Sequence, residues 1–272
     1  VRTDEWGTTW EYRIFGVWGH PLAWPLADMA ALPAYRPPAP PAAAGPEFEA
    51  ARRAAARQRQ RYFHLEWGGS IFEKLHSLRR FEDVLVDIER DTPEINRLAD
   101  LIQEHYAACV GRALALGADA VAFGDDFGTQ QGPILSPRTW RRFFGPRYRA
   151  LAEPVVRAGR KVFFHSCGRI EWMLEDLAGL GVGAVWPQLA LYDPADLAAR
   201  CRALGLAIQL HPDRGDLMQR GSPGQVRDYV RRMVDDFAAR DGGAWAYIEI
   251  DPGFPWANVE ALFGAVMDLR GG

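Results

Sequence analysis

Apolar segments suited to β-strands alternate with helix-forming segments along most of this 272-residue chain. The predicted strands span residues 62–67, 118–123, 160–164, 182–186, 206–210 and 245–250. Each strand is followed by a stretch with helical composition or periodicity. This alternation predicts a parallel sheet, because parallel strands need a long crossover connection that a helix usually provides. The chain is therefore predicted to have an α/β fold.

Two parallel architectures fit the alternation, an open doubly wound sheet and a closed (β/α)8 barrel. The chain has none of the glycine-rich phosphate-binding sequences that are typical of nucleotide-binding open sheets. Polar residues follow nearly every predicted strand, which is where barrel enzymes carry their active sites. We therefore predict a (β/α)8 TIM barrel. A full barrel has eight strands, so six imply that the first one or two βα units are lacking in this chain.

The whole chain, residues 1–272, is predicted to form one domain. Residues 1–47 are a lead-in with a strand or hairpin over residues 8–17 and a Pro/Ala-rich connector, and residues 48–272 supply the barrel units. The formal net charge of −3 argues against a nucleic-acid or anionic membrane surface. No apolar run is long enough to span a membrane. Three scattered cysteines indicate reduced thiols, as in a cytoplasmic protein.

The sequence His165-Ser166-Cys167-Gly168 follows the third predicted strand. Side chains alternate along a strand, so the imidazole and the thiol point the same way. Such a pair can bind one borderline metal ion, and zinc suits it best. The alternative is a packed histidine beside an inert buried thiol.

Other strand ends also carry polar residues. Asp125 and Asp126 follow the second strand, and the one that faces the barrel mouth can bind metal, orient His165 or accept a proton; capping of a turn is the alternative. Further predicted site residues are Gln130 on the same rim, Gln188 after the fourth strand, His211 and Arg214 after the fifth, and Glu249 on the last. A local salt bridge explains the His211–Arg214 cluster equally well. Trp6 lines either a substrate mouth or the core.

Several motifs, in this order along the chain, resemble those of the uroporphyrinogen decarboxylase superfamily. They are Asp4-Glu5-Trp6-Gly7, Gly124-Asp125-Asp126 with Gly128-Thr129-Gln130, Ser136-Pro137, Pro146-Arg147-Tyr148 and His165-Ser166-Cys167-Gly168. The methyltransferase-like branch is most similar, with its methylcobamide:coenzyme M methyltransferases and corrinoid-linked demethylase components. The resemblance implies a (β/α)8 barrel and a zinc ion held by His-x-Cys and a later cysteine. His165 and Cys167 match the first two ligands, and Glu249 stands where the later cysteine is expected.

The leading hypothesis is a zinc-dependent methyltransferase-like enzyme. It would move a methyl group between a corrinoid, supplied by a partner protein, or a methylated small molecule, and a thiol or other acceptor. The predicted metal ligands are His165, Cys167 and Glu249; the predicted catalytic residues are Asp125, Asp126 and His211; the predicted substrate-binding residues are Gln130, Gln188, Arg214 and Trp6. Two alternatives stay open: decarboxylation of a tetrapyrrole or polycarboxylate, and a non-catalytic binding homologue.

Overall fold

The computed structural model describes residues 1–13, 19–237 and 239–269. The lead-in contains a small antiparallel sheet of three strands, β1 (Arg2–Thr3), β2 (Thr9–Glu11) and β3 (His20–Ala23), in the order β1-β2-β3. Residues 14–17 of the predicted hairpin lie outside the described residues. The Thr8 hydroxyl donates to the Ser77 carbonyl over 2.7 Å, which ties this sheet to the rest of the molecule.

The remaining six strands form one parallel sheet, as the alternation predicted. They are β4 (Leu65–Gly69), β5 (Ala120–Gly124), β6 (Lys161–Ser166), β7 (Val182–Pro187), β8 (Ala207–Leu210) and β9 (Ala244–Ala246). Each strand pairs with the next one in the chain, in the order β4-β5-β6-β7-β8-β9. Strands in a barrel wall follow this sequential order, whereas in a doubly wound sheet the order in which strands are added reverses part-way. Within the described residues, β4 and β9 each pair on one side only.

The helices lie between the strands and after them. They are α1 (Pro46–Gln58), α2 (Ile71–Leu78), α3 (Phe81–Arg90), α4 (Pro93–Leu116), α5 (Pro137–Phe143), α6 (Gly145–Arg157), α7 (Leu174–Gly179), α8 (Pro194–Ala203), α9 (Asp216–Arg220), α10 (Pro223–Asp236) and α11 (Trp256–Asp268). Thr92 and Ser136 cap α4 and α5 with their side-chain oxygens, and proline occupies the first turn of both helices. None of the described helices is both long and apolar enough to cross a bilayer.

The six-stranded sheet has two different faces. On the outer face, Phe123 and Phe164 pack against Tyr148 of α6, with ring centroids 5.9 and 5.0 Å apart, and all three are buried. On the inner face, Phe163 of β6 lies 5.0 Å from Trp245 of β9, although two strands separate β6 from β9. The sheet therefore curves strongly, as the wall of a barrel does.

Candidate metal centre

Asp126, His165 and Cys167 meet at the carboxyl ends of β5 and β6. The two strands run in register, with Gly124 beside His165, so the residues that follow them lie close together. His165 Nε2 is 3.5 Å from Cys167 Sγ and 3.4 Å from Asp126 Oδ1. One nitrogen, one sulfur and one oxygen atom from these residues all lie within 4.8 Å of one another.

The spacing of these three atoms fits a zinc ion. Zinc binds imidazole nitrogen and carboxylate oxygen at about 2.0–2.2 Å and thiolate sulfur at about 2.3 Å, mostly in a tetrahedron. Adjacent ligand atoms in such a tetrahedron are separated by roughly 3.3–3.6 Å. The 3.5 and 3.4 Å separations around His165 Nε2 agree with that range. The nitrogen, sulfur and oxygen set is also one that zinc accepts.

The His165 imidazole is held in the orientation that a metal ligand needs. Its Nδ1 lies 2.9 Å from the carbonyl oxygen of Trp186, which can only accept a hydrogen bond. Nδ1 therefore carries a proton and donates it to this carbonyl, and Nε2 faces Asp126 and Cys167, where a metal ion would take up its lone pair. The ring also packs on the Trp186 indole, with centroids 4.4 Å apart.

The two remaining groups differ in charge. Burial raises the pKa of the Cys167 thiol to about 12, and the neighbouring Asp126 charge adds to the rise. Burial also works to raise the pKa of Asp126, but hydrogen bonds from His165 and from the Cys167 backbone bring it below its ordinary value. The site thus holds an ionised carboxylate beside a protonated thiol, and a bound cation would favour the thiolate.

The loop that carries Cys167 is fixed by close backbone contacts. Gly168 has a φ of +75°, and a Cβ atom there would lie 2.1 Å from the carbonyl carbon of Gly128. The Cys167 N–H donates to Asp126 Oδ1 over 2.8 Å. The Gly168 N–H donates to Gln188 Oε1 over 3.1 Å, and the Tyr192 hydroxyl donates to the Gly168 carbonyl over 2.6 Å. These contacts hold the thiol in position without a metal.

Asp125 points away from this site. Its carboxylate accepts hydrogen bonds from the Phe72 and Glu73 N–H groups, at 2.7 and 2.8 Å, and from the Tyr148 hydroxyl. Burial raises the pKa of Asp125 to about 7, although these donors oppose the rise. The residue predicted as catalytic is therefore enclosed at the N-terminus of α2, where it caps the helix.

Glu249, predicted as the third metal ligand, has another partner. Its Oε1 lies 2.5 Å from Arg214 Nη1, and Asp251 lies 3.7 Å from the same nitrogen. Asp126, not Glu249, joins His165 and Cys167. The ion pair also engages the Arg214 guanidinium that was predicted to bind substrate, so both roles stay predictions.

The other predicted residues occupy varied positions. Trp6 is only 6% exposed and packs in the core against His105, in line with the second of its two interpretations. Gln188 supports the Cys167 loop through the Gly168 N–H. His211 lies between two carbonyl groups, with Nε2 2.9 Å from Pro187 O. Gln130 is exposed on the loop after β5.

Sequence reasoning missed the groups that support the candidate metal ligands. Trp186 acts through its carbonyl group and Tyr192 through its hydroxyl group, and neither belongs to a recognisable motif. The position of Trp186 could have been predicted from the order of the strands, because Trp186 pairs with His165 on the neighbouring parallel strand. The sequence gives no indication of the contact between Gly128 and Gly168 apart from the presence of the two glycines.

Comparison with known proteins identifies the family. Residues 20–269 match the family model described as uroporphyrinogen decarboxylase (URO-D). The chain belongs to the uroporphyrinogen decarboxylase family. The resemblance drawn from its motifs is thereby confirmed, and the TIM-barrel-like fold agrees with it.

One solved structure supports the fold of this URO-D family member. A methyltransferase from Methanosarcina mazei is similar to it with a TM-score of 0.71 and 14% identity, over 98% of this chain and 77% of the other. A dihydropteroate synthase from Anaplasma phagocytophilum aligns with a TM-score of 0.48 and 18% identity, over 66% of this chain and 70% of the other. Comparison with curated proteins gave no significant match. At these identities the likeness concerns the fold alone.

Proposed function

We propose that this protein is a zinc-dependent methyltransferase-like enzyme. It moves a methyl group between a corrinoid, or a methylated small molecule, and a thiol or other acceptor. The observation that carries the proposal is the convergence of Asp126, His165 and Cys167 at the carboxyl ends of two strands. Active sites of barrel enzymes lie at this end. The M. mazei neighbour, whose name is methyltransferase, is consistent with it.

In this proposal, three side chains hold the zinc: His165 through Nε2, Cys167 through Sγ and Asp126 through a carboxylate oxygen. Three protein ligands are typical of catalytic zinc sites, which keep a fourth position for water or substrate. When bound, zinc supplies a positive charge that lowers the pKa of a thiol, so that the acceptor is held as an anion. The Trp186 carbonyl and the Gly168 contacts fix the donor atoms beforehand, which limits the reorganisation that binding requires.

The methyl donor is proposed to be a corrinoid carried by a partner protein, or a methylated small molecule. The site leaves room for an approach from solvent, since the side chains of Asp126 and His165 are 42% and 23% exposed. A thiolate acceptor attacks the methyl carbon, and the electron pair of the breaking bond leaves with the donor. In this step the chain positions the acceptor and the donor and supplies charge, and it forms no covalent bond to the methyl group.

Decarboxylation of a tetrapyrrole or polycarboxylate is the second candidate function. The description of the matching family model favours it. A polycarboxylate needs cationic partners, however, and the Arg214 guanidinium near Cys167 is engaged by Glu249. Turnover of such a substrate that is unaffected by chelators would support this alternative.

Metal analysis and a methyl-transfer assay test the proposal together. We expect one zinc per chain in the wild-type protein, and transfer of a methyl group from methylcobalamin to a small thiol. His165→Ala should lose both the zinc and the transfer. His20→Ala, at an exposed position on β3, is the matched control and should keep both. A wild-type protein that binds no zinc, or a His165→Ala variant of unchanged activity, would contradict the proposal.

A further inference from the structure

Tyr247 follows β9 directly and lies on the inner face of the barrel, close to the candidate metal centre. Its N–H donates to the Leu210 carbonyl over 2.7 Å, which continues the pairing of β8 with β9. Its ring packs on the Trp186 indole with centroids 4.8 Å apart, and the same indole packs on the His165 imidazole at 4.4 Å. A single indole therefore separates Tyr247 from a proposed metal ligand.

Three charged side chains lie near the Tyr247 ring. Arg214 pairs with Glu249 at 2.5 Å, as described above. Asp251 lies 3.7 Å from the same guanidinium nitrogen, which is beyond hydrogen-bond distance. Burial raises the pKa of the Tyr247 hydroxyl, and the two carboxylate charges add to the rise while the arginine opposes it. Two carboxylates against one guanidinium leave one net negative charge, and Asp251 is the carboxylate with the weaker partner.

Solvent reaches these groups. The side chains of Glu249 and Asp251 are 32% and 36% exposed, and Trp186 and Tyr247 are half-buried. A zinc ion bound by one thiolate, one carboxylate and a neutral imidazole has no net charge together with its ligands. The negative charge at Asp251 therefore persists when the metal site is filled. A ligand that approaches from solvent meets aromatic rings and a carboxylate.

We propose that Trp186, Tyr247 and Asp251 form a subsite for a methylated onium cation, that is, a quaternary ammonium or a sulfonium compound. Such a cation is attracted to aromatic rings whose centroids lie within about 6 Å of its charge. Centroids 4.8 Å apart allow one cation to meet this condition for both rings. Asp251 balances the charge. The inference rests on the proposed function, since it names the methylated small molecule of that reaction.

Transfer of a methyl group from such a cation to a thiolate is balanced in atoms and charge. The thiol first loses its proton to water. The thiolate sulfur then forms a bond to the methyl carbon while the carbon–nitrogen or carbon–sulfur bond of the cation breaks. The electron pair of that bond stays on the leaving atom, which departs as a neutral amine or sulfide. Asp251 attracts the cation and not the neutral product, which favours product release.

Choline and 3,3-dimethylbutan-1-ol test this subsite, because they share one shape and differ in a charged nitrogen or a neutral carbon at its centre. We expect the wild-type protein to bind choline about tenfold more tightly at low salt, a ratio within the range of cation–π attraction. The ratio should fall as the salt concentration rises, because salt screens the Asp251 charge. Ligand-observed NMR measures both affinities in the full chain without added zinc.

Two pairs of variants separate the ring from the carboxylate. Tyr247→Leu and Asp251→Asn should each lower the ratio at least about threefold, whereas Tyr247→Phe keeps the ring and should keep the ratio. Tyr62→Leu and Asp228→Asn change the same residue types at exposed positions elsewhere in the fold and should also keep it. Equal binding of the two ligands by the wild-type protein, or an unchanged ratio in both Tyr247→Leu and Asp251→Asn, would overturn the proposal.

Product analysis tests the donor role and identifies the leaving atom. Zinc-loaded protein with a small thiol should release trimethylamine from tetramethylammonium, or dimethyl sulfide from trimethylsulfonium, in the same amount as the methylated thiol. Transfer from either cation supports the donor role. Transfer from methylcobalamin but from neither cation would overturn it and leave the zinc-dependent methyltransferase proposal standing. Loss of zinc binding would in turn leave the choline preference unaffected.

Discussion

At the residue scale, Asp126 and Glu249 carry the same carboxylate group but differ in their hydrogen-bond and ion-pair partners. Asp126 accepts the Cys167 N–H over 2.8 Å and faces His165 Nε2. Glu249 is instead held by the Arg214 guanidinium. A carboxylate already neutralised by arginine loses that partner if it is to bind metal, whereas the Asp126 carboxylate already faces His165 Nε2. Asp126 is therefore the better third ligand.

We expect Asp126→Asn to reduce zinc affinity by at least about 100-fold, because loss of even a residue that supports a metal ligand costs about 10- to 100-fold. Glu249→Gln should change the affinity by less than about threefold, since it disturbs only the pair with Arg214. Competition with a fluorescent zinc chelator measures both. Zinc binding that is lost in Glu249→Gln and kept in Asp126→Asn would restore Glu249 as the ligand.

Asp125 gives the protein a pH-dependent stability. Its folded pKa of about 7 is above the value of about 3.9 for an unfolded chain, so the protonated form is favoured on folding. The contribution to stability is complete below about pH 4 and is lost as pH rises towards 7. We expect the free energy of unfolding of the wild-type protein to fall relative to Asp125→Asn over this range. Urea unfolding of both proteins between pH 4.5 and 7.5 measures the difference, and a difference independent of pH would show that the carboxylate is ionised throughout.

At the element scale, the loop after β6 depends on one glycine contact. Gly168 and Gly205 both have positive φ, +75° and +68°. A Cβ atom at Gly168 would collide with Gly128, whereas nothing lies within 4 Å of a Cβ atom at Gly205. The two positions share the backbone penalty and differ only in the collision.

We expect Gly205→Ala to cost roughly 1–2 kcal/mol of stability, the usual penalty for a left-handed residue. Gly168→Ala should cost at least about 3 kcal/mol, because the collision adds to that penalty. It should also weaken zinc binding, since Cys167 is the preceding residue. Chemical denaturation and zinc titration test both variants. Equal losses of stability would mean that the loop moves freely away from Gly128.

Elements and their faces could be predicted from sequence, but the contacts between loops could not. The predicted strand over residues 182–186 agrees with β7 except for its last residue, since these residues form a short, mostly buried run. Alternation along β6 correctly put His165 and Cys167 on one side. The Arg214–Glu249 pair joins two loops after different strands, and the geometry of such loops is not encoded in a local pattern.

At the scale of the whole molecule, the candidate metal site joins separate parts of the chain. Asp126 follows β5, whereas His165 and Cys167 come from β6 and the loop after it. A metal ion that binds them binds the folded state and not the unfolded chain. Its affinity is therefore converted into global stability.

We expect free zinc at about 100 times its dissociation constant to add about 2.7 kcal/mol of stability. For a chain of this size, this gain corresponds to a rise in melting temperature of about 5–10 °C. Cys167→Ser should show little rise, and Cys109→Ser, a change at a half-buried cysteine on α4, should show the wild-type response. Differential scanning calorimetry with and without zinc measures the rise in melting temperature of each protein. A rise of the same size in Cys167→Ser would place the bound ion elsewhere.

The opposite orientations of Asp125 and Asp126 restrict how this protein can be re-engineered. Connecting segments usually tolerate insertions and deletions, and chimeras of barrel enzymes are commonly joined there. Here one residue added directly after Gly124 would move Asp125 into the place of Asp126 and leave α2 without its carboxylate, and one residue removed would move Asp126 into the place of Asp125 and leave His165 and Cys167 without theirs. Libraries that vary the length of this segment should therefore begin beyond Thr129, whose carbonyl still accepts the Arg169 N–H over 2.8 Å.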